Sequence, residues 1–507
     1  MAESNFEYAH FAGGVALLLV RCPCCYEKKI ILHFLRLSHY ALDKPSTTSV
    51  YTRFVPTRVR ELTSEARKIH EKYGDSVRLA PNKLSFIQSQ AWPDIHGHRS
   101  EKKKVWFEKD PSVYLPRFNG APSIVDANEQ DHARFRRLLA HAFSEKALRD
   151  QEPILQTYVN RLVSKLHQQI DGPANGVLDM AQWVNFMTFD IIGDLTFGHS
   201  FDCLESGELH PWVALLPGAA RTMTYLLALK HAPEFIFKAV LAMIMPSLAA
   251  RREHAEFTNE KIKIRLSDEA DRRDFITPIL KANDEKGMTY PELESSINLL
   301  VTAGSETLAT LFSGAVYHLS QNPRVMKKLR QEVQTAFHDT KDVTIASIQK
   351  LPYLNAVIEE SLRIYPPAAL SLTRIVPRGG AVICGEHIPA GTGVGVTTWA
   401  ATHSPKNFAA PEEYAPERWL DDPRFAKDDK KSSQPFSMGA RNCVGKNLAY
   451  AEMRLVLAKL ALDFDFRLQP ESETWIVQKL FTFWEKPPLM VKVTRTRQAK
   501  KQEAFSG

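Results

Sequence analysis

Cysteine is scarce, with 6 residues among 507, at Cys22, Cys24, Cys25, Cys203, Cys384 and Cys443. Thiols so few and scattered make no disulfide framework, and they point to a reducing compartment. Long apolar runs are also missing. Phe11 to Val20 gives ten apolar residues before Arg21, where a bilayer span needs about 20, so a polytopic membrane protein is excluded. Gly 23 and Pro 30 are ordinary counts, which excludes collagen and low-complexity disorder. Lys+Arg 65 against Asp+Glu 58 leaves +7 without concentrated basic blocks, so nucleic acid is not an expected partner. The surplus suits an acidic protein partner or a membrane surface.

What is present is an ordinary globular balance, 44% hydrophobic and 24% charged. The length alone suggests about three domains, but no repeat and no Gly-, Ser- or Pro-rich linker divides the chain, which favours one large, mostly helical unit. Helical periodicity starts with Leu62, Ala66 and Ile69 and stops at Gly74. It marks Asn128 to Phe143, Ile154 to Leu166, Met180 to Phe197, Arg251 to Leu266, Glu292 to Leu319, Pro323 to Phe337, Tyr353 to Tyr365 and Leu448 to Leu462. Short strand-like pieces occur at Ser76 to Ala80, Lys83 to Ile87, Ala381 to Ile388, Gly393 to Thr398 and Leu489 to Val493. Phe235 to Met245 reads as a core helix or as a surface that dips into a membrane, and the charge-rich Asp421 to Lys431 as a solvated loop. No second Cys or His pair follows Cys22, Cys24 and Cys25 at zinc spacing, so they read as an adventitious cluster.

One thiol sits differently. Phe436-Ser-Met-Gly439-Ala-Arg441-Asn-Cys443-Val-Gly445 joins glycines, a basic residue and a cysteine just before a helical pattern. Such a loop can present a thiolate to a metal, its backbone N–H groups and the positive end of the following helix holding the sulfur deprotonated. Gly439 and Gly445 allow turns and the close approach of a flat cofactor. Arg441 can bond a carboxylate on it. A lone cysteine is ordinarily a small buried hydrophobe; the F-x-x-G-x-R-x-C-x-G spacing sets this one apart.

With that loop the sequence resembles the cytochrome P450 family of haem-thiolate monooxygenases, and further motifs fit the resemblance. Glu360-Ser-Leu-Arg363 and Pro416-Glu417-Arg418-Trp419 match the family's E-x-x-R and P-E-R-W-like segments, which implies a structural clamp of Glu360, Arg363 and Arg418 behind the haem loop. The helix opening at Thr289-Tyr-Pro-Glu292, with capping-box spacing, runs through Ala303-Gly304-Ser305-Glu306-Thr307. That stretch matches A-G-x-[DE]-T, in which the glycine opens the helix for dioxygen, Thr307 hydrogen-bonds the oxygen being reduced and Glu306 relays protons. His132 and Arg136, at i and i+4, match a pair that contacts a haem propionate, with His where Trp is more usual. Arg374 matches another propionate contact.

The resemblance implies a mainly α fold with a small β portion, as a single P450 catalytic domain over 58–496. An atypical segment 1–57 that serves as a weak membrane anchor precedes it, and a polar tail 497–507 follows. It also implies haem b (iron protoporphyrin IX), with Cys443 on the iron, Phe436 beside it, and electrons from NADPH through a separate NADPH-cytochrome P450 reductase, since no flavin or NADPH module reads in the chain. The substrate would be a hydrophobic small molecule, and the location the cytosolic face of the endoplasmic reticulum membrane. The phrases Asn355 to Pro367 and Lys446 to Arg454 look most like fungal microsomal members that tailor secondary metabolites, the group similar to isotrichodermin hydroxylase. That implies hydroxylation or epoxidation of a terpenoid or polyketide. A haem-thiolate rearrangement or dehydration enzyme, and a non-catalytic haem binder, are the alternatives; intact Glu306 and Thr307 argue against both.

Overall fold

A computed structural model describes residues 62–98, 106–114, 117, 119–230, 234–244, 259–265, 267, 272, 274–282, 287–497 and 499. The segment 1–57 with Cys22, Cys24 and Cys25, most of 497–507, and the first half of the Arg251 to Leu266 pattern lie outside the described residues. Helices dominate, and the elements used below are α1 (Leu62–Tyr73), β1 (Ser76–Ala80), β2 (Lys83–Phe86), α2 (Ala91–His96), β3 (Glu108–Lys109), α3 (Glu129–Ala142), α4 (Glu145–Asp171), β4 (Val177–Asp179), α5 (Met180–Phe197), α6 (Leu216–Leu229) and α7 (Glu234–Ile244). They continue with α8 (Tyr290–Gln321), α9 (Pro323–Ala336), α10 (Pro352–Ile364), β5 (Arg374–Ile375), β6 (Ala381–Ile383), β7 (Glu386–Ile388), β8 (Gly393–Val396), α11 (Lys446–Asp463), β9 (Phe464–Leu468) and β10 (Met490–Arg495).

The longest helix organises the rest. Pro291 lies in the first turn of α8, and the Glu292 carboxylate accepts the Thr289 backbone N–H at 2.8 Å in a capping box. At 1.5 Å per residue its 32 residues reach about 48 Å. Most of α8 is buried, and it packs chiefly against α5. α5 is apolar nearly all round, as a helix without a solvent face must be. Asp179 caps its start and Gly198, at φ 76°, ends it in the left-handed conformation. The two helices meet closely because α8 has a glycine there: a Cβ on Gly304 would stand 2.7 Å from Ile192 Cδ1.

The main core lies among α3, α4, α5, α8, α9, α10 and α11. A smaller one, with Phe86, Trp92, Ile95, Val394 and Val396, lies under a five-stranded sheet of order β1-β2-β8-β5-β3. In that sheet β2 runs parallel to β8, Arg374 of β5 faces Val394, and Lys109 of β3 lies directly opposite Arg374. β4, β10 and β9 form a second sheet, and β6 and β7 a hairpin.

The structure refines the sequence expectations in three places. Ala381 to Ile388 is a hairpin turned at Cys384 and Gly385, both at positive φ. α7 is no core helix: Phe235 is 66% exposed, and Lys238 pairs with Glu234 across one exposed turn. Asp421 to Lys431 is not solvated throughout, because Phe425 is buried and the Asp428 carboxylate pairs with Arg418 in the interior.

Candidate functional site

The thiol loop is closed by its own backbone. The Cys443 N–H donates to the Phe436 carbonyl at 2.9 Å, a short 3-10 turn spans Gly439–Arg441, and α11 begins after Gly445. The two glycines differ in kind. Gly439 has φ 75°, and a Cβ there would lie 1.9 Å from the His96 carbonyl oxygen, so neighbouring backbone forbids any side chain. Gly445 has an ordinary φ of −83°, and its nearest neighbour would be Phe143 at 3.7 Å. Protein packing does not require glycine there, and its face stays open to a flat group.

The Cys443 side chain is accessible although it sits among many protein atoms. That burial pushes its thiol up, against the Gly445 N–H, Arg136 and Lys446, which pull it down. The loop and helix end therefore do not hold the sulfur deprotonated by themselves, contrary to the sequence expectation. A bound metal cation would supply what they lack. The Phe436 ring rests against Tyr450, with centroids 5.1 Å apart.

Beside the loop, cations converge from distant parts of the chain. Arg374 is buried and makes no hydrogen bond or ion pair among the described residues, and burial plus Arg441 push it down to about 10. Lys109, its cross-strand partner, is pushed down to about 7 by burial, then by Arg374 and Arg441. His96, at the end of α2, is buried with neither ring nitrogen hydrogen-bonded among the described residues and is lowered to about 3 by burial, Arg374 and Lys109. His132 on α3 is likewise lowered to about 3 by burial and Arg441, so the expected basic pair of α3 carries one charge, on Arg136. Arg441 pairs with Glu129 at 3.1 Å, and Arg136 donates to the Asn442 carbonyl and Oδ1 at 2.7 Å each, bracing the loop. Like charges directly opposite in a sheet repel, and the nearby Asp126 and Glu129 carboxylates offset these cations only in part. Such a cluster is suited to a ligand bearing carboxylates, and beside a thiol and an open glycine the donor set fits a flat dicarboxylate metal cofactor such as haem.

Sequence reading missed His96 and Lys109, because their contribution comes from the α2 end and the β3–β5 register. The alternation of Trp106, Phe107, Glu108 and Lys109 gave no sign that Arg374 would lie opposite.

On α8, Glu306 is buried and its Oε2 pairs with Lys486 Nζ at 2.8 Å. Thr307 donates its hydroxyl to the Ala303 carbonyl at 2.7 Å, and Thr307 and Ala303, unlike Glu306, remain at least partly accessible on a helix otherwise largely buried. Gly304 faces Ile192, as above.

Glu360, Arg363 and Arg418 do come together. Glu360 takes Arg363 Nε at 2.8 Å and Arg418 Nε at 3.0 Å with no side-chain exposure in any of the three. Trp419 Nε1 and the Ala415 N–H complete the carboxylate at 3.0 and 2.9 Å. Arg363 then bonds the carbonyls of Thr402, Pro411 and Glu413. A groove of about 540 Å³ between α9 and α10, with Lys328, Glu332, Tyr353 and Glu417 in its wall, shares no residue with the thiol loop.

A sequence model described as Cytochrome P450 matches residues 50–493. The cytochrome P450 monooxygenase lcsI of Purpureocillium lilacinum is 43% identical over 442 residues, covering 86% of this chain and 85% of the relative. The cytochrome P450 monooxygenase atr2 of Stereocaulon alpinum is 39% identical over 496 residues, 97% of each. Averantin hydroxylase of Dothistroma septosporum is 38% identical over 497 residues, 97% of this chain and 92% of the relative. Similarity over so much of both chains, on a mainly α fold with the thiol loop and its cations in one place, settles the question of kind: the chain belongs to the cytochrome P450 family and is a monooxygenase.

Proposed function

We propose that this enzyme hydroxylates or epoxidises a hydrophobic small molecule, a terpenoid or polyketide intermediate of fungal secondary metabolism. The buried Arg374, opposite Lys109, beside Arg441 of the thiol loop and without a side-chain hydrogen bond or ion pair among the described residues, is the observation that carries the assignment of the site. Similarity to averantin hydroxylase and to other fungal monooxygenases supports hydroxylation of a small molecule. Haem b, once bound, supplies the iron at which dioxygen is activated with electrons from NADPH through a separate reductase.

The chain's own residues do the rest. Cys443 Sγ would hold the iron, and Arg136 braces its loop by holding Asn442. Arg374, Lys109 and Arg441 would neutralise the two carboxylates of the cofactor, with neutral His132 as a further polar contact, while Phe436 packs against Tyr450 and Gly445 would leave room for a flat group. Conversion of a C–H bond and dioxygen to an alcohol and water consumes two electrons and two protons. The Thr307 hydroxyl and the Glu306 carboxylate pass those protons inward, a task for positioned groups that both give and accept. The buried clamp of Glu360, Arg363 and Arg418 ties α10 to the Thr402 carbonyl and to the loop from Ala409 to Ala415.

The exposed apolar face of α7 and its neighbour α6 suits contact with the endoplasmic reticulum membrane. The stretch Pro211–Leu229 is long and apolar enough to cross a bilayer by length and composition, and is 22% buried. The experiment is reconstitution with NADPH-cytochrome P450 reductase under ¹⁸O-labelled dioxygen, with a panel of terpenoid and polyketide intermediates. One labelled atom in the product, with matching NADPH use, is expected; an unlabelled rearranged or dehydrated product formed without NADPH would overturn the reading.

A further inference from the structure

Glu306 is gripped from a part of the chain that none of the motifs include. Lys486 Nζ lies 2.8 Å from Glu306 Oε2 and 3.1 Å from Thr310 Oγ1, one turn further along α8. The two charged side chains are 7% and 9% exposed. Lys486 sits at the end of a short folded segment, closed by a Leu480–Trp484 bridge and by the Glu485 N–H on the Lys479 carbonyl at 2.9 Å. That segment is anchored to the rigid side of the site. Trp484 donates to the Pro366 carbonyl at 2.9 Å and stacks on Tyr365, whose phenol, near enough to feel the Glu306 charge, donates to Gln478 at 2.6 Å.

Its other side meets α6. Glu485 pairs with Arg221, Thr482 lies 3.4 Å from Thr224 hydroxyl to hydroxyl, and the Phe481 ring stands edge-on to Tyr225 at 6.0 Å. Successive residues of an extended stretch point to opposite sides. Glu485 is thus tied to α6 while Lys486 is tied to the carboxylate on α8.

We propose that Lys486 is the positioning residue of Glu306, and that the Glu485–Arg221 pair links its grip to the placement of α6. The proposal rests on the reading of Glu306 as a proton-delivering group. A buried carboxylate with a single counter-charge is held in one direction, and loss of that partner leaves it uncompensated and free to turn. Motion of α6 on binding a substrate is then felt at Glu306 through two adjacent residues.

The test uses the haem-loaded, full-length enzyme with its reductase and measures hydrogen peroxide released per NADPH oxidised and the solvent deuterium isotope effect on turnover. The ferrous-CO spectrum and the spectral substrate titration serve as controls for the fold. Lys486→Met is expected to raise the peroxide share about fivefold or more and to change the isotope effect, as loss of an ordered proton path does. Lys486→Arg, which keeps the charge, restores both, and Arg221→Met moves both the same way by less. Lys486→Met with wild-type coupling overturns the positioning role, and if that variant does not fold, wild-type coupling in Arg221→Met overturns the link. Glu306→Gln separates the two levels. Wild-type coupling there sinks the underlying reading, whereas uncoupling there beside an unaffected Lys486→Met sinks the positioning role alone.

Discussion

Arg418 Nε donates to Glu360 Oε1 across 3.0 Å, at a place where neither side chain exposes any surface. The two residues stand 58 positions apart, one on α10 and one in a 3-10 turn. One carboxylate there answers two guanidiniums, and Asp428 answers the second of them again. Removal of one partner from a buried pair leaves a charge without an answer and costs about 3–5 kcal/mol. Glu360→Gln is expected to lose that much in urea unfolding of the purified protein; a loss under about 1 kcal/mol would mean that the pair is solvated like a surface bridge.

The two glycines of the thiol loop should separate in a substitution experiment. Gly439→Ala meets a left-handed φ and a carbonyl oxygen 1.9 Å away, and is expected to cost about 3 kcal/mol or more. Gly445→Ala fits the protein, with its nearest contact at 3.7 Å, and its stability should stay within about 0.5 kcal/mol while haem uptake falls. Equal haem uptake by Gly445→Ala and the wild type would count against a cofactor lying over that residue.

Lys109 gives a pH dependence whose sign can be worked out. Its ammonium is lowered from 10.5 to about 7 in the folded haem-free chain. Between those values the unfolded chain keeps a proton that the folded chain has released, so stability rises with pH. The slope from this group approaches about 1.4 kcal/mol per pH unit. Cofactor carboxylates would keep Lys109 charged, so haem-loaded protein should lack the slope, as should haem-free Lys109→Met. Urea unfolding of the three samples from pH 7 to 9 checks this, and equal slopes in all three would contradict it.

Much of this was legible in the sequence because its signals are local. Met180 to Phe197 was readable as a helix from its helical pattern, and Thr289-Tyr-Pro-Glu292 as a helix start from cap chemistry; both coincide with the structure to within two residues. The thiol loop and the E-x-x-R were legible as spacings. What stayed hidden depends on contacts between distant segments. Nothing near Lys486 announces Glu306, 180 residues away, and nothing near Lys109 announces Arg374. Asp428 was hidden in the same way, since a carboxylate in a charge-rich stretch looks solvated until Arg418 is seen to need it.

Thr307 should matter for the fate of electrons more than for substrate binding. Its hydroxyl is already satisfied by Ala303, so Thr307→Ala leaves no buried group unpaired and should fold normally. Loss of a proton-handling group costs about 10²–10⁴ in the step that it serves. NADPH should still be consumed, with most of it recovered as hydrogen peroxide and the spectral dissociation constant of the substrate unchanged. Product formation per NADPH equal to that of the wild type would remove Thr307 from the proton path.

The role of Cys443 as iron ligand is open to a direct check, the ferrous-CO absorbance spectrum of the purified protein beside that of Cys443→His. The wild type should give the band typical of a thiolate ligand, and the variant, where it retains haem, the band typical of an imidazole ligand. A thiolate-type band that persists in Cys443→His would contradict the account.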